Sequence, residues 1–444
     1  MKARFIYLMD HLKTSFWFLP LVLMVIAIGF FFGLIYLDGV VHFHSDQSFL
    51  KLITGGVESA RIILSTIATG MLGVAGIVFS ITLVALTLAS SQFGPRILRN
   101  VMHDRINQVV LGAYLATYLY CLLVLRTVKS DQPVEFVPNL SVLFAIVVVI
   151  INIFLLIIYI HHISVSIQAD HVISAITASL NKQIKKLFPV MDGNETGQKG
   201  NDAAQKKFQD VEEIKKSFLS EELLKARRSG YVQVVDYDQL MKIACEEDLL
   251  LVYMCKPGDF IVKSSSLIHI YGKKSIHTEL LQKLLKSIIL GNTRTPAQDH
   301  EFAVHQLVEI ASRALSPGVN DPYTAITSID NLTATMCYLT DASFPDEHHY
   351  SDDRQLRMVI LAPRFYGLMD AAFNQIRQFA HGNPPVIIHL MDALNTIYEF
   401  TKEADHREAV EKHRLMVLNS GKTSFADQSD LKDLIKRYEK HSQS

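Results

Sequence analysis

The chain has 444 residues, of which 49% are hydrophobic, and its formal net charge is −1. The length allows two or three domains, and the apolar fraction with a positive mean hydropathy points to a membrane. Near-zero charge excludes nucleic acid as a principal partner, because neutralising phosphates requires a basic face. Cys121, Cys245, Cys255 and Cys337 form no CxxC pair, which excludes a disulfide scaffold and a zinc ribbon.

Four stretches have the length and lack of charge that a bilayer crossing needs, about 20 residues at ~1.5 Å rise for a ~30 Å core. They cover residues 16–36, 62–89, 108–125 and 140–160, within a transmembrane domain of residues 1–160. The first lacks a small-residue cleavage site and is expected to remain as an anchor. Basic flanks at Lys2, Arg4 and Lys13, at Arg96, Arg99 and Arg105, and at Lys182, Lys185 and Lys186 predict that both termini are cytoplasmic. No Asp, Glu, Lys or Arg lies inside these spans, which disfavours transport coupled to an intramembrane charge.

Within the second span, Ser65, Thr69, Gly73, Gly76, Ser80, Leu83 and Thr87 fall in one sector of about 80° at ~100° per residue. Such a stripe is either a packing seam, inside the four-helix bundle or between protomers, or the wall of a pore with Leu83 as its constriction. Gly94 and Pro95 end the helix, and Arg96, Arg99 and Arg105 then set cations at the inner face. They read as a topological signal and anionic-lipid contact, or, in a cyclic oligomer, as a ring that favours anions. In the first outer loop His42 and His44 stand near Asp38 and Asp46, but no spacing fixes a complete site. No metal and no cofactor is predicted.

Beyond the fourth span, residues 161–228 read as a helical extension with a polar linker near 190–206. Residues 229–272 read as a small β-rich module, with strands at 231–235, 249–255 and 259–262 and a helix at 237–246. Residues 273–444 read as a helical domain with helices near 276–290, 301–315, 322–339, 365–380, 385–402, 405–418 and 430–441. "LRMVILAP" is a strand candidate, and His348 and His349 fall in an acidic loop. The fold class is therefore an α-helical membrane protein with four transmembrane helices and a mainly helical α+β cytoplasmic region.

The segment "SPGVNDPYTA" crowds turn chemistry between two of these helices. Pro317 stops the first, Gly318 is suited to a left-handed cap, and Asp321 and Pro322 start the second. Capping leaves Ser316 and Asn320 unexplained, so Ser316, Gly318, Asn320, Asp321 and Thr324 form a ligand-loop candidate at a helix N-terminus. Upstream, His300 and His305 are five residues apart and do not share the helix face that a zinc motif needs. Glu301, His305 and Glu309 can form a polar row at i, i+4 spacing. Walker A, Rossmann and GxSxG signatures are missing.

"ASSQFGPRILRNVMHDR", "YIHHISVSIQADHV", "RSGYVQVVD", "PGDFIV", "EFAVHQLVEIASRALSPGVNDPYTAITSIDNL" and "FNQIRQF" together resemble a bacterial family of predicted membrane proteins, domain of unknown function 2254. The resemblance runs over nearly the whole chain and implies a bacterial inner-membrane protein with a cytoplasmic C-terminal region. It carries over no activity or catalytic residue. From the residues, the leading expectation is a homo-oligomeric channel-like or passive transport protein whose cytoplasmic part gates it or senses a ligand. Its partners would be the lipid bilayer, copies of itself, and a small ion or small-molecule ligand. The alternatives are a membrane-tethered enzyme with Ser316, Asn320 and Asp321 near Glu301 and His305, and a scaffold that recruits a cytoplasmic partner.

Overall fold

Uninterrupted apolar runs can satisfy their backbone in hydrocarbon only within helices, because each N–H and C=O must find its partner inside the segment. The computed structural model accordingly shows α1 (Phe18–Val40), α2 (Val57–Phe93), α3 (Arg105–Thr127) and α4 (Asn139–Ser166). All four are long and apolar enough to cross a membrane. The described residues are 17–40, 56–94, 105–129, 136–166, 168–190 and 211–440. Two units separate, Met1–Val172 and Ile173–Ser444.

In the first unit α3 packs against the other three helices, with Val110, Tyr114, Tyr120, Cys121 and Val124 in the core. Gly112 permits the closest approach: a Cβ there would lie 2.8 Å from the Cα of Pro20 in α1. Several polar groups inside are paired across helices. Tyr159 Oη donates to the Val78 carbonyl at 2.9 Å and meets Thr82 Oγ1 at 2.8 Å. Asn152 donates to Thr117 Oγ1 at 2.8 Å, and Tyr114 Oη donates to the Asn152 carbonyl at 2.7 Å.

With 37 residues, α2 is ~55 Å long at ~1.5 Å per residue, well beyond a ~30 Å core. It ends where Gly94 takes φ +103° and donates its N–H to the Ser90 carbonyl. Its apolar face, with Ala60, Leu64, Ala68, Met71, Ala75, Val78, Ala85 and Ala89, is buried against the bundle.

The second unit begins in α5 (Ala169–Leu187), an amphipathic helix whose Ile173, Ile176, Leu180 and Ile184 are buried. In chain order there follow α6 (Val211–Lys216), β1 (Ser220–Lys225), β2 (Gly230–Val235), α7 (Tyr237–Glu246), β3 (Leu249–Tyr253), β4 (Phe260–Ile261), β5 (Ser266–Gly272), α8 (Thr278–Lys286) and β6 (Ile288–Gly291). The chain then runs through α9 (Glu301–Ala314), α10 (Pro322–Thr340), β7 (His348–Tyr350), β8 (Leu356–Val359), α11 (Phe365–Phe379), α12 (Pro384–Phe400), α13 (Ala404–Ser424) and α14 (Gln428–Glu439).

The strands form two sheets, ordered β1-β5-β3-β8-β7 and β4-β2-β6. All pairings are antiparallel except β3 with β8, where Leu251 faces Met358 and Val252 faces Val359. The β structure is therefore not confined to residues 229–272. The helix expected over 276–290 stops at Lys286, and residues 288–291 pair with β2 instead. The double histidine expected in a loop lies in β7, where His348 pairs with Val359 and His349 with Met358. Leu240, Ile243, Leu249, Leu251, Ile268, Ile270 and Met358 share one core.

Candidate functional site

In α2, Ser65, Thr69, Gly73, Gly76, Ser80, Leu83 and Thr87 are all exposed on the single chain. They lie across the helix from the buried alanine-rich face, and a Cβ at Gly73 or Gly76 would meet nothing within 4 Å. The stripe is thus not a seam within this four-helix unit. Ser65 Oγ donates to the Ile62 carbonyl at 3.0 Å and Thr87 Oγ1 to the Leu83 carbonyl at 2.9 Å. Bonding to the same helix reduces the cost of placing a hydroxyl in an apolar medium. Arg105 is exposed at the start of α3, while Arg96 and Arg99 lie outside the described residues.

The loop at 316–321 is a tightly bonded corner. Asp321 caps α10 by accepting from the Thr324 N–H at 3.2 Å and from Thr324 Oγ1 at 2.6 Å. Ser316 Oγ donates to the Arg313 carbonyl at 2.6 Å, and its own carbonyl accepts from the Asn320 N–H at 2.9 Å. Left-handed backbone is found at Asn320, with φ +50°, and not at Gly318 as expected. Asn tolerates this region better than other residues with a Cβ, so the corner itself accounts for Asn320. Gly318 is exposed, with open space around it.

Glu301 and His305 do meet at 3.7 Å, and Lys256, which sequence spacing could not link to them, donates to Glu301 at 2.8 Å. The His305 imidazole is the largest influence holding the Glu301 carboxyl down at about 2, with Lys256 adding to it and burial opposing both. Glu309 does not extend the row, because it turns to Arg313 at 3.6 Å. His300 precedes α9 at its N-cap position, so the two histidines do not share a helix. The 316–321 corner follows the C-terminal end of the same helix, whose 14 residues put it ~20 Å from Glu301. Glu301 and the corner therefore cannot contact one small substrate.

Some polar devices escaped sequence reading. Asp38 is not free for a metal, since its carboxylate accepts from the Leu140 and Ser141 N–H groups at 2.9 and 3.1 Å and from Ser141 Oγ at 2.6 Å. It caps α4 from the end of α1; His42, His44 and Asp46 lie outside the described residues. In the second unit, His413 is buried on α13 with Nε2 3.1 Å from Asp370 on α11. Burial pulls its pKa down to about 4 despite that carboxylate. Asp299, also buried, is held bidentately by Arg294 at 2.7 and 2.9 Å beneath Gly258. Among the described residues no group of three or more His, Cys, Asp or Glu could hold a metal ion.

Similarity to known proteins agrees with the four apolar helices. Uncharacterized proteins of Mycobacterium bovis and Mycobacterium tuberculosis are 28% identical to this chain over 429 residues, spanning 95% of it and 79% of their own length. No solved structure matches it significantly. A family described as predicted membrane proteins, DUF2254, matches residues 13–396. The chain belongs to this family of membrane proteins.

Proposed function

We propose that the protein is a homo-oligomeric, channel-like passive transporter of the bacterial inner membrane, with both termini and the second unit in the cytoplasm. The single observation that carries this reading is the outward-facing stripe of α2 from Ser65 to Thr87. A face of glycines and hydroxyls offers lipid little side-chain packing, whereas a second helix can approach it closely. Copies arranged about an axis would cover part of the stripe with one another and line a passage with the rest, using hydroxyls and glycine backbone as its polar wall. Leu83, 47% exposed, then forms an apolar constriction. Arg105 stands at the cytoplasmic mouth, where a ring of cations favours anions. The orientation rests on the basic flanks, including Lys182, Lys185 and Lys186.

The test is ion flux in proteoliposomes, comparing wild type with Gly73→Leu and Ser80→Leu, together with oxidative cross-linking of Ser80→Cys in a background lacking the four native cysteines. The proposal expects chloride flux in wild type, at least a tenfold change in the leucine variants, and Ser80→Cys dimers. A silent wild type with no cross-link would refute it.

A further inference from the structure

A small cavity of about 220 Å³ opens in the second unit between Leu187, Tyr237, Lys256, Pro257, His300 and Leu361, with Ile360 and two further prolines completing its apolar wall. It lies just past the carboxyl ends of β3 and β8, the parallel pair, and beside the first residue of α9. Crevices beyond the carboxyl ends of parallel strands are favoured ligand positions in open sheets, because adjacent chain segments diverge there. The volume is below the ~300 Å³ at which pockets for drug-sized molecules begin, so its occupant is small.

The polar groups in the wall fall into two sets. One is already engaged: Gln298 bonds both backbone groups of Val235 at 2.8 and 3.0 Å, Asp299 is held by Arg294, and Lys256 reaches Glu301. Tyr237 and His300 form the other. Among the described residues neither makes a hydrogen bond; Tyr237 only packs against the Tyr253 ring, and His300 stands edge-on to Phe188. Buried polar side chains without partners are rare in folded proteins. Here the His300 Nδ1 atom is such a group, and the hydroxyl of the half-buried Tyr237, also without a hydrogen bond, lines the same cavity.

We infer that this cavity binds a small uncharged molecule with an apolar body and an amide- or hydroxyl-type polar end, which hydrogen-bonds Tyr237 and His300. An uncharged occupant fits because the nearby charges are matched, Lys256 with Glu301 and Arg294 with Asp299. Burial keeps the His300 imidazole neutral, leaving one ring nitrogen to accept and the other to donate. It also keeps the Tyr237 phenol protonated, pushed up to about 12, so that it can donate to a carbonyl. The leucine, isoleucine and proline walls take the apolar body. This site stands independently of the oligomeric passage, since occupancy can be read without flux.

Benzamide is a suitable probe, because its carbonyl can accept from Tyr237 and its N–H can donate to His300. Full-length protein in nanodiscs is treated with diethyl pyrocarbonate and each of the 18 histidines is followed by mass spectrometry. The site predicts that His300 reacts in free protein and is protected at least fivefold by saturating benzamide, while exposed histidines such as His171 are unaffected. Tyr237→Phe should raise the half-protecting concentration about 5- to 10-fold, the expected loss for one hydrogen bond. Leu361→Trp, which fills the cavity, should abolish protection. Equal protection by toluene and benzamide would overturn the polar half of the inference. No protection of His300 by benzamide, or protection unchanged in both variants, would overturn the site.

Discussion

At the scale of single residues, the second unit depends on charges that are buried with their partners. Arg294→Met leaves the Asp299 carboxylate, 3% exposed, without a counter-ion. It should destabilise the protein by about 3–5 kcal/mol, as removing one partner of a buried pair does, measurable by urea unfolding. Gly258 has φ +97°, and a Cβ there would lie 2.5 Å from Asp299 Oδ2, so Gly258→Ala should unfold at lower urea as well. His413 adds a pH dependence. Its folded pKa of about 4 lies below the ordinary 6.5, so the unfolded chain binds the proton more tightly. Stability from this group is complete above pH 6.5 and is lost as pH falls toward 4, by ~3 kcal/mol. Asp370, Lys412 and Arg377 surround it, and Lys412 and Arg377 disfavour the imidazolium along with burial. His413→Gln should flatten the urea midpoint between pH 6.5 and 4, whereas the loss attributable to Glu301 sets in only as pH falls from 4.5 toward 2.

At the scale of elements, the ends of the helices explain why the chain turns where it does. A carboxylate at the C-terminal end of α1 opposes that helix's own dipole, yet Asp38 lies at the N-terminal end of α4, where the dipole favours it. It also satisfies two backbone N–H groups that α4 cannot satisfy internally. Asp38→Ala should lower stability by ~1–2 kcal/mol, a typical cost for loss of a cap, and lower the melting temperature in detergent. Asp38→Asn, which keeps one accepting oxygen, should lose less. Gly112→Val should be more damaging, because its side chain would meet the backbone of Pro20 and force α1 away from α3. Asp321 and Pro322 were legible as a helix start because capping is local chemistry. The left-handed residue was not legible: Gly318 and Asn320 both allow that conformation, and closure of the corner by the Asp321 N–H on the Ala314 carbonyl selects Asn320.

At the scale of the molecule, the sheet joins stretches far apart in sequence. β8 enters beside β3 roughly a hundred positions later, and Arg357 on β8 pairs with Asp248 just before β3. A second-unit fragment ending at residue 345 would leave this edge of β3 unpaired, together with the buried Leu250 and Tyr253. It should bind a hydrophobic dye and aggregate more than the same fragment extended to residue 444, since an unpaired apolar edge templates association. In the first unit the exposed α2 stripe follows the same logic, and cross-linking through Ser80→Cys tests it between whole chains.

The sequence by itself determined the four apolar helices, most later helices and the corner at 316–321, because hydrophobic length, periodicity and capping are written in adjacent residues. It also determined that α2 carries a stripe of small and hydroxylated residues. Only the tertiary structure decided that this stripe faces away from its own bundle, since periodicity defines a face but not its neighbour. Likewise β1, with the charged sequence SEELLK, and β7, with its two histidines, gave little strand signal of their own. Their pairing energy comes from β5 and β8, at long sequence separation. The same physics separated Glu301 from the 316–321 corner and brought Lys256, Tyr237 and His300 to one cavity: a helix fixes distance along its axis, while packing of remote segments fixes which side chains meet.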